Sequence, residues 1–170
     1  KIVMKILVLI PLLFLLACGY KPTSNFTKEI LGDKIYVSIS MPLSDPQSGI
    51  VVRDALNEAI SFTFKSRLVS INEAKSRIEI NKIKFTTTDL QKDENGFTIL
   101  YRTSVHMEVY LVTDTFSKRF YVEGFSDYTV SDQSLEYEAI RINSIKEASL
   151  KATQDLVTKI TSIGAIYVNE

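Results

Sequence analysis

FTILYRTSVHMEVYLV, residues 97–112, alternates apolar and polar positions without a break. Phe97, Ile99, Tyr101, Thr103, Val105, Met107, Val109 and Leu111 share one face, the period-two signature of a strand with one side buried. Sixteen residues at about 3.3 Å each give a strand near 53 Å, several times the usual length. Thr113-Asp114-Thr115 turns the chain, and Phe116 to Val130 returns as the partner strand with Phe120 and Val122 on the same face. A hairpin this long needs an equally long element to cover its apolar side.

The C-terminal third supplies it. From a cap at Ser131, Asp132 or Ser134 to about Ile163, the residues Leu135, Ala139, Ile142, Ile145, Ala152, Leu156, Ile160 and Ile163 recur every three or four positions. Ser149 is the one polar member of that stripe, and Gly164 is placed to end the helix. Upstream of the hairpin, Arg77 to Thr87 reads as a strand with a fault. Ile78 and Ile80 share a phase, Ile83 and Phe85 the opposite one, and a bulge near Asn81-Lys82 would return both pairs to the core. Asp89 to Gly96 is a polar turn. Lys34 to Met41 alternates as a first strand, with Ile35, Val37, Ile39 and Met41 on one face. Ile50 to Phe64 then shifts to helical spacing through Val52, Ala55, Leu56, Ala59, Ile60 and Thr63, with Ser48 as N-cap. The order β-α-β-β-β-α predicts an α+β two-layer sandwich. Two helices lie on one face of a four-stranded mixed sheet, and the first β-α-β step is right-handed. Residues 34–170 form its single domain.

The N-terminus reads differently. Lys1 and Lys5 bracket a short basic start, and Ile6 to Leu16 is an unbroken apolar run of eleven residues. As a helix it rises about 17 Å against roughly 30 Å of hydrocarbon, the layout of a secretory signal peptide and too short for a lasting span. Leu15-Leu16-Ala17-Cys18 closes it. A small residue before the only cysteine resembles a bacterial lipobox, which implies that the thiol of Cys18 takes a diacylglyceryl group and that cleavage leaves Cys18 first in the mature chain. Residues 1–17 are then the signal peptide, its start at Met4 or upstream, and residues 18–33 a lipidated spacer. Gly19 in place of Asp favours the outer membrane, by resemblance to enteric lipoproteins. Two or more acyl chains make such a tether effectively permanent.

Composition excludes several functions. Without Lys1 and Lys5 the chain has 18 basic and 20 acidic residues, a formal charge of −2 and no field for nonspecific nucleic-acid binding. His106 is the only histidine, on the strand face opposite Val105 and Met107, so no Cys-His or Ser-His-Asp constellation forms and a zinc site would need mainly carboxylates. Gly32, Gly49, Gly96, Gly124 and Gly164 stand singly, with no phosphate-binding loop. The expectation is a non-enzyme without metal or cofactor beyond the covalent lipid on Cys18.

The outer face of the hairpin carries Leu100, Arg102, His106, Glu108, Tyr110 and Val112, answered by Arg119, Tyr121, Glu123 and Phe125. Aromatic and aliphatic side chains mixed with charge are characteristic of contact surfaces. Arg102, Tyr110, Arg119, Tyr121 and Phe125 are the candidate partner-contact residues. A bulge at Gly124 would instead turn the aromatics into the core.

CGYKP (18–22), SDPQSGIVVRDALNEAI (44–60) and EASLKATQDLVTKI (147–160), in this element order, resemble the lipopolysaccharide-assembly lipoprotein family, LptE. The resemblance implies an outer-membrane lipoprotein seated in the lumen of the LptD β-barrel, helping that barrel assemble and deliver lipopolysaccharide to the cell surface. The family's lipopolysaccharide-contacting basic residues have no clear counterparts here. The alternative is an auxiliary lipoprotein of a lipid-transport ABC system, or a lipoprotein activator of a cell-wall synthase.

Overall fold

The computed structural model describes residues 28, 30–40, 42, 45–64, 66–130 and 137–167. Cys18 and the region 131–136, with its expected helix caps, lie outside them, as does Met41. Strand β1 (Lys34–Ile39) leads to helix α1 (Pro46–Ala59), which continues as a π-helical turn, Ile60–Phe64. Strands β2 (Arg67–Leu68), β3 (Ser76–Lys92), β4 (Thr98–Val112) and β5 (Ser117–Thr129) follow, then helix α2 (Tyr137–Tyr167). The sheet order is β2-β1-β3-β4-β5, with β1 parallel to β2 and β3 and the rest antiparallel.

The α+β class with two helices and a mixed sheet is as expected, but the sheet has five strands and not four. The extra strand, Arg67–Leu68, is two residues long and both are exposed, so it has no alternation to detect. Backbone bonds from Arg67 N to Asp33 O and from Val69 N to Ile35 O hold it on β1.

The expected bulge is present. Ile80 pairs with Val109 and Lys82 with Glu108, so Asn81 is the extra residue. Ile78, Ile80 and Ile83 are all buried as a result, and Phe85 packs against the same core. β3 runs five residues beyond Thr87, to Lys92, because the polar stretch after Thr88 still pairs with β4. The turn is therefore short. Asp93 Oδ1 accepts from the N–H groups of Asn95 and Phe97, and Gly96 takes φ +85°, a conformation that costs glycine little. Phe97, expected on the core face, is 59% exposed because it belongs to this turn.

One core joins the layers. Val52, Leu56 and Ile60 meet Ile35, Ile78 and Ile80 of the sheet, and Ile145, Ala148, Ala152, Leu156 and Ile160 of α2 meet Val105, Met107, Val109, Leu111 and Val122. Leu31, placed in the spacer by composition, is fully buried in it. Ala139 of the expected α2 stripe is exposed. Ser149 is buried and donates to Ile145 O at 2.6 Å, which satisfies its hydroxyl within the helix. Gly164 does not end α2. It is a buried contact point against the side chain of Ile30, where any Cβ would collide, and the helix continues to Tyr167.

α1 begins earlier than expected, at Pro46, with Asp45 and not Ser48 as N-cap. Asp45 Oδ1 accepts from Ser48 N at 3.1 Å and Oδ2 from Ser48 Oγ at 2.6 Å. Burial pushes the Asp45 carboxyl up, but the Ser48 hydrogen bonds and Arg141 of α2 outweigh it and hold it below 3.8. Asp45→Ala is expected to cost about 0.5–2 kcal/mol of stability at neutral pH. Because the folded value is depressed, the carboxylate's contribution is complete above the unfolded value and lost as pH falls through the folded one. Thermal melts of wild type and variant should therefore converge on acidification through that range; an unchanged gap would remove Asp45 as the cap.

β5 is the sheet edge, and α2 seals part of it. Asp155 Oδ2 accepts from Glu123 N at 3.1 Å, while Lys159 Nζ donates to Tyr121 O at 2.6 Å and to Asp155 Oδ2 at 2.9 Å. An ion pair one helical turn apart thus stands where a neighbouring strand would bond.

Candidate interaction face

Among the described residues every helix lies on one side of the sheet, and none covers the other side. Registers place its residues in rows: Glu79, Tyr110, Arg119; Lys82, Glu108, Tyr121; Lys84, His106, Glu123; Thr86, Ser104, Phe125; Thr88, Arg102, Asp127. The five residues singled out from the sequence, Arg102, Tyr110, Arg119, Tyr121 and Phe125, thus all fall on this one face. The β4–β5 register is continuous through Gly124, which pairs with Val105, so no bulge reverses the pleat. Tyr121 is 65% exposed and Phe125 47%.

The pleat explains the arrangement. Gly124 points to the core, and α2 packs so closely there that its backbone at Ala148 and Ala152 occupies the space a Cβ would need. Its neighbours Glu123 and Phe125 must then point outward. Arg102 makes a bidentate pair with Asp127, Nε to Oδ1 at 2.7 Å and Nη2 to Oδ2 at 2.8 Å. Hydrogen bonding to the guanidinium holds the Asp127 carboxyl below its usual range and raises Arg102 in turn. The same guanidinium lies 4.2 Å from the Phe125 ring centroid, and Lys151 approaches that ring at 5.3 Å. His106 Nδ1 sits 3.4 Å from Glu123 Oε2, and Arg119 Nε 3.4 Å from Glu108 Oε1. Lys82, Lys84, His106, Glu108 and Tyr121 border a shallow hollow on this face.

The sequence reading missed Asp127, Lys82 and Lys84. The first is legible only once Arg102 is known to pair with it across the hairpin. The lysines reach the face only because the bulge at Asn81 resets the phase of β3.

Geometrically the face offers fixed charges and two exposed aromatic rings on a rigid sheet, an arrangement for binding. Among the described residues no cluster of His, Cys, Asp and Glu could hold a metal ion, and no helix is long and apolar enough to cross a membrane.

No protein-family model matches the chain, and no curated protein matches it significantly in sequence. Solved structures do match in fold. Rare lipoprotein B from Shewanella oneidensis superposes with a TM-score of 0.55 at 14% identity, over 81% of this chain and 99% of its own. Lipoprotein B from Nitrosomonas europaea gives 0.52 at 14% identity over 89% and 96%. A minor lipoprotein from Acinetobacter baumannii gives 0.51 at 10% identity over 79% and 94%. The chain has the fold of these lipoprotein structures, nearly end to end on their side.

Proposed function

We propose that the protein is an outer-membrane lipoprotein of the LptE kind, tethered through a lipid on Cys18 and seated in the lumen of the LptD β-barrel, where it supports barrel assembly and lipopolysaccharide delivery. The observation that carries this reading is the one-sided sheet: strands of 13 to 17 residues with one face left uncovered, bearing charge and aromatics together. A barrel lumen is polar, so a charged face suits it better than the apolar groove of a conventional dimer. The fold shared with rare lipoprotein B and other lipoprotein structures supports the lipoprotein part of this reading. The chain acts by binding and not by catalysis. Near-neutral charge suits a protein partner, and lipopolysaccharide contact is secondary to barrel contact.

Two measurements test it. The protein should leave detergent extracts in equal amounts with a large outer-membrane barrel; recovery with an inner-membrane transporter or a wall synthase would replace the proposal with the alternative. Cys18→Ala should accumulate as uncleaved precursor in the inner membrane and take up no radiolabelled palmitate. A variant that still labels would overturn the tether.

A further inference from the structure

The strand registers bring one set of termini and turns together at a single end of the sandwich. Lys34 pairs with Arg67, Ile35 with Ser76, Arg77 with Val112, and Val112 with Ser117. The β2–β3 turn, the β4–β5 turn, the start of β1 and the last turn of α2 therefore form one rim. Phe116 of the β4–β5 turn stacks on Tyr167 of α2 at 4.5 Å, and Ile30 packs on Gly164. An open cavity of about 330 Å³ lies between the incoming chain and these turns.

This rim exposes apolar side chains from two separate segments: Leu68 (44%) and Ile71 (46%) from β2 and the turn after it, and Ile166 (63%) with Tyr167 from α2. They are spread across the end, and only Tyr167 borders the cavity, an arrangement that fits a broad and deformable partner. The charge is complementary to an anionic surface. Lys28 and Asp33 neutralise each other at 2.9 Å. Among the described residues that leaves Lys34, Arg67, Lys75 and Lys118 against Glu73 and Asp114. The N-terminal segment joins the domain at this same end, and ten residues separate Cys18 from Lys28, a reach of at most about 36 Å.

We infer that this rim is a lipid-docking surface, which sets the domain, while no barrel encloses it, end-on against the anionic headgroups and acyl boundary of the membrane that holds the tether. The inference rests on the lipid-tether reading for its geometry, but the docking itself is separable. Isoleucine and leucine supply shallow insertion, Tyr167 an amphipathic ring suited to the interface, and the lysines and Arg67 a headgroup attraction.

The chain has no tryptophan, so single reporters are unambiguous. Full-length protein carrying Ile166→Trp, or Phe97→Trp at the opposite end, is combined with vesicles of phosphatidylethanolamine and phosphatidylglycerol with brominated acyl chains. The Ile166→Trp reporter should be quenched at least about twofold more than the Phe97→Trp reporter, with a blue-shifted emission. Adding Leu68→Glu and Ile71→Glu, both exposed positions, should abolish the difference while the melting temperature stays put. Palmitate labelling of Cys18 is scored alongside. Preferential quenching without labelling leaves the docking standing and removes the tether. Equal quenching of the two reporters, labelled or not, overturns the docking. So does protection of the Ile166→Trp reporter that requires an outer-membrane barrel and is absent with lipid alone.

Discussion

Gly124→Val should destabilise the isolated domain by about 3 kcal/mol or more, at the top of the range for overpacked cores. A Cβ at this position would fall inside contact distance of the Ala148 carbonyl oxygen and the Ala152 nitrogen, and 2.9 Å from the carbonyl carbon of Lys151. These are main-chain atoms of α2, so no rotamer can yield and the helix itself must lift from β5. At about 2–4 °C per kcal/mol for a chain of this size, the melting temperature should fall by roughly 6–12 °C. Two controls isolate the cause. Gly96→Ala, at the open tip of the β3–β4 turn, should cost only about 1 kcal/mol, from its positive φ and not from contact. Combining Gly124→Ala with Ala152→Gly should give no rescue, because the obstruction is backbone. Near-wild-type stability of Gly124→Val would mean that α2 does not lie on β5 as described.

Tyr121→Ser combined with Phe125→Ser should weaken binding to the barrel partner by about a hundredfold or more, while the isolated domain keeps its melting temperature. Central aromatic contacts cost roughly 2 kcal/mol or more each when truncated, and 1.4 kcal/mol corresponds to a factor of ten. Both rings stand on the helix-free face, so their removal opens no cavity in the core. Buried aromatics would behave otherwise, at about 3–5 kcal/mol of stability each. Arg102 keeps its pair with Asp127 in the variant, so the loss measured is that of the rings. A stable double variant that still co-purifies with the barrel at wild-type yield would take this face out of the mechanism.

The strands were legible in the sequence because burial on one face writes a period of two. Even the break in that period could be read, since a one-residue phase slip between Ile80 and Ile83 has few other physical causes. The elements that escaped lack such a signal. Arg67–Leu68 is too short to alternate. The β3 extension past Thr87 is exposed on both faces and exists by pairing alone. Gly164 sits where a helix stop is expected, but Ile30, more than a hundred residues earlier, determines its role. Asp45 and Ser48 are both acceptable caps, and the choice depends on where Pro46 starts the helix. At the interaction face, the outward residues of β4 and β5 followed from the alternation. The role of Gly124 did not, since a single glycine in a strand serves equally as a bulge or as a seat for a helix.

The sealed edge of β5 has a consequence for the proposed role beside a β-barrel. A barrel in assembly presents unpaired strand margins, and an exposed edge on a companion would anneal to them. With Asp155 and Lys159 occupying the hydrogen-bonding positions at Glu123 and Tyr121, such zippering is blocked at that part of β5. The domain can then be gripped through its face and released again. In the proposed complex it would stay a guest and not be spliced in as an additional stave.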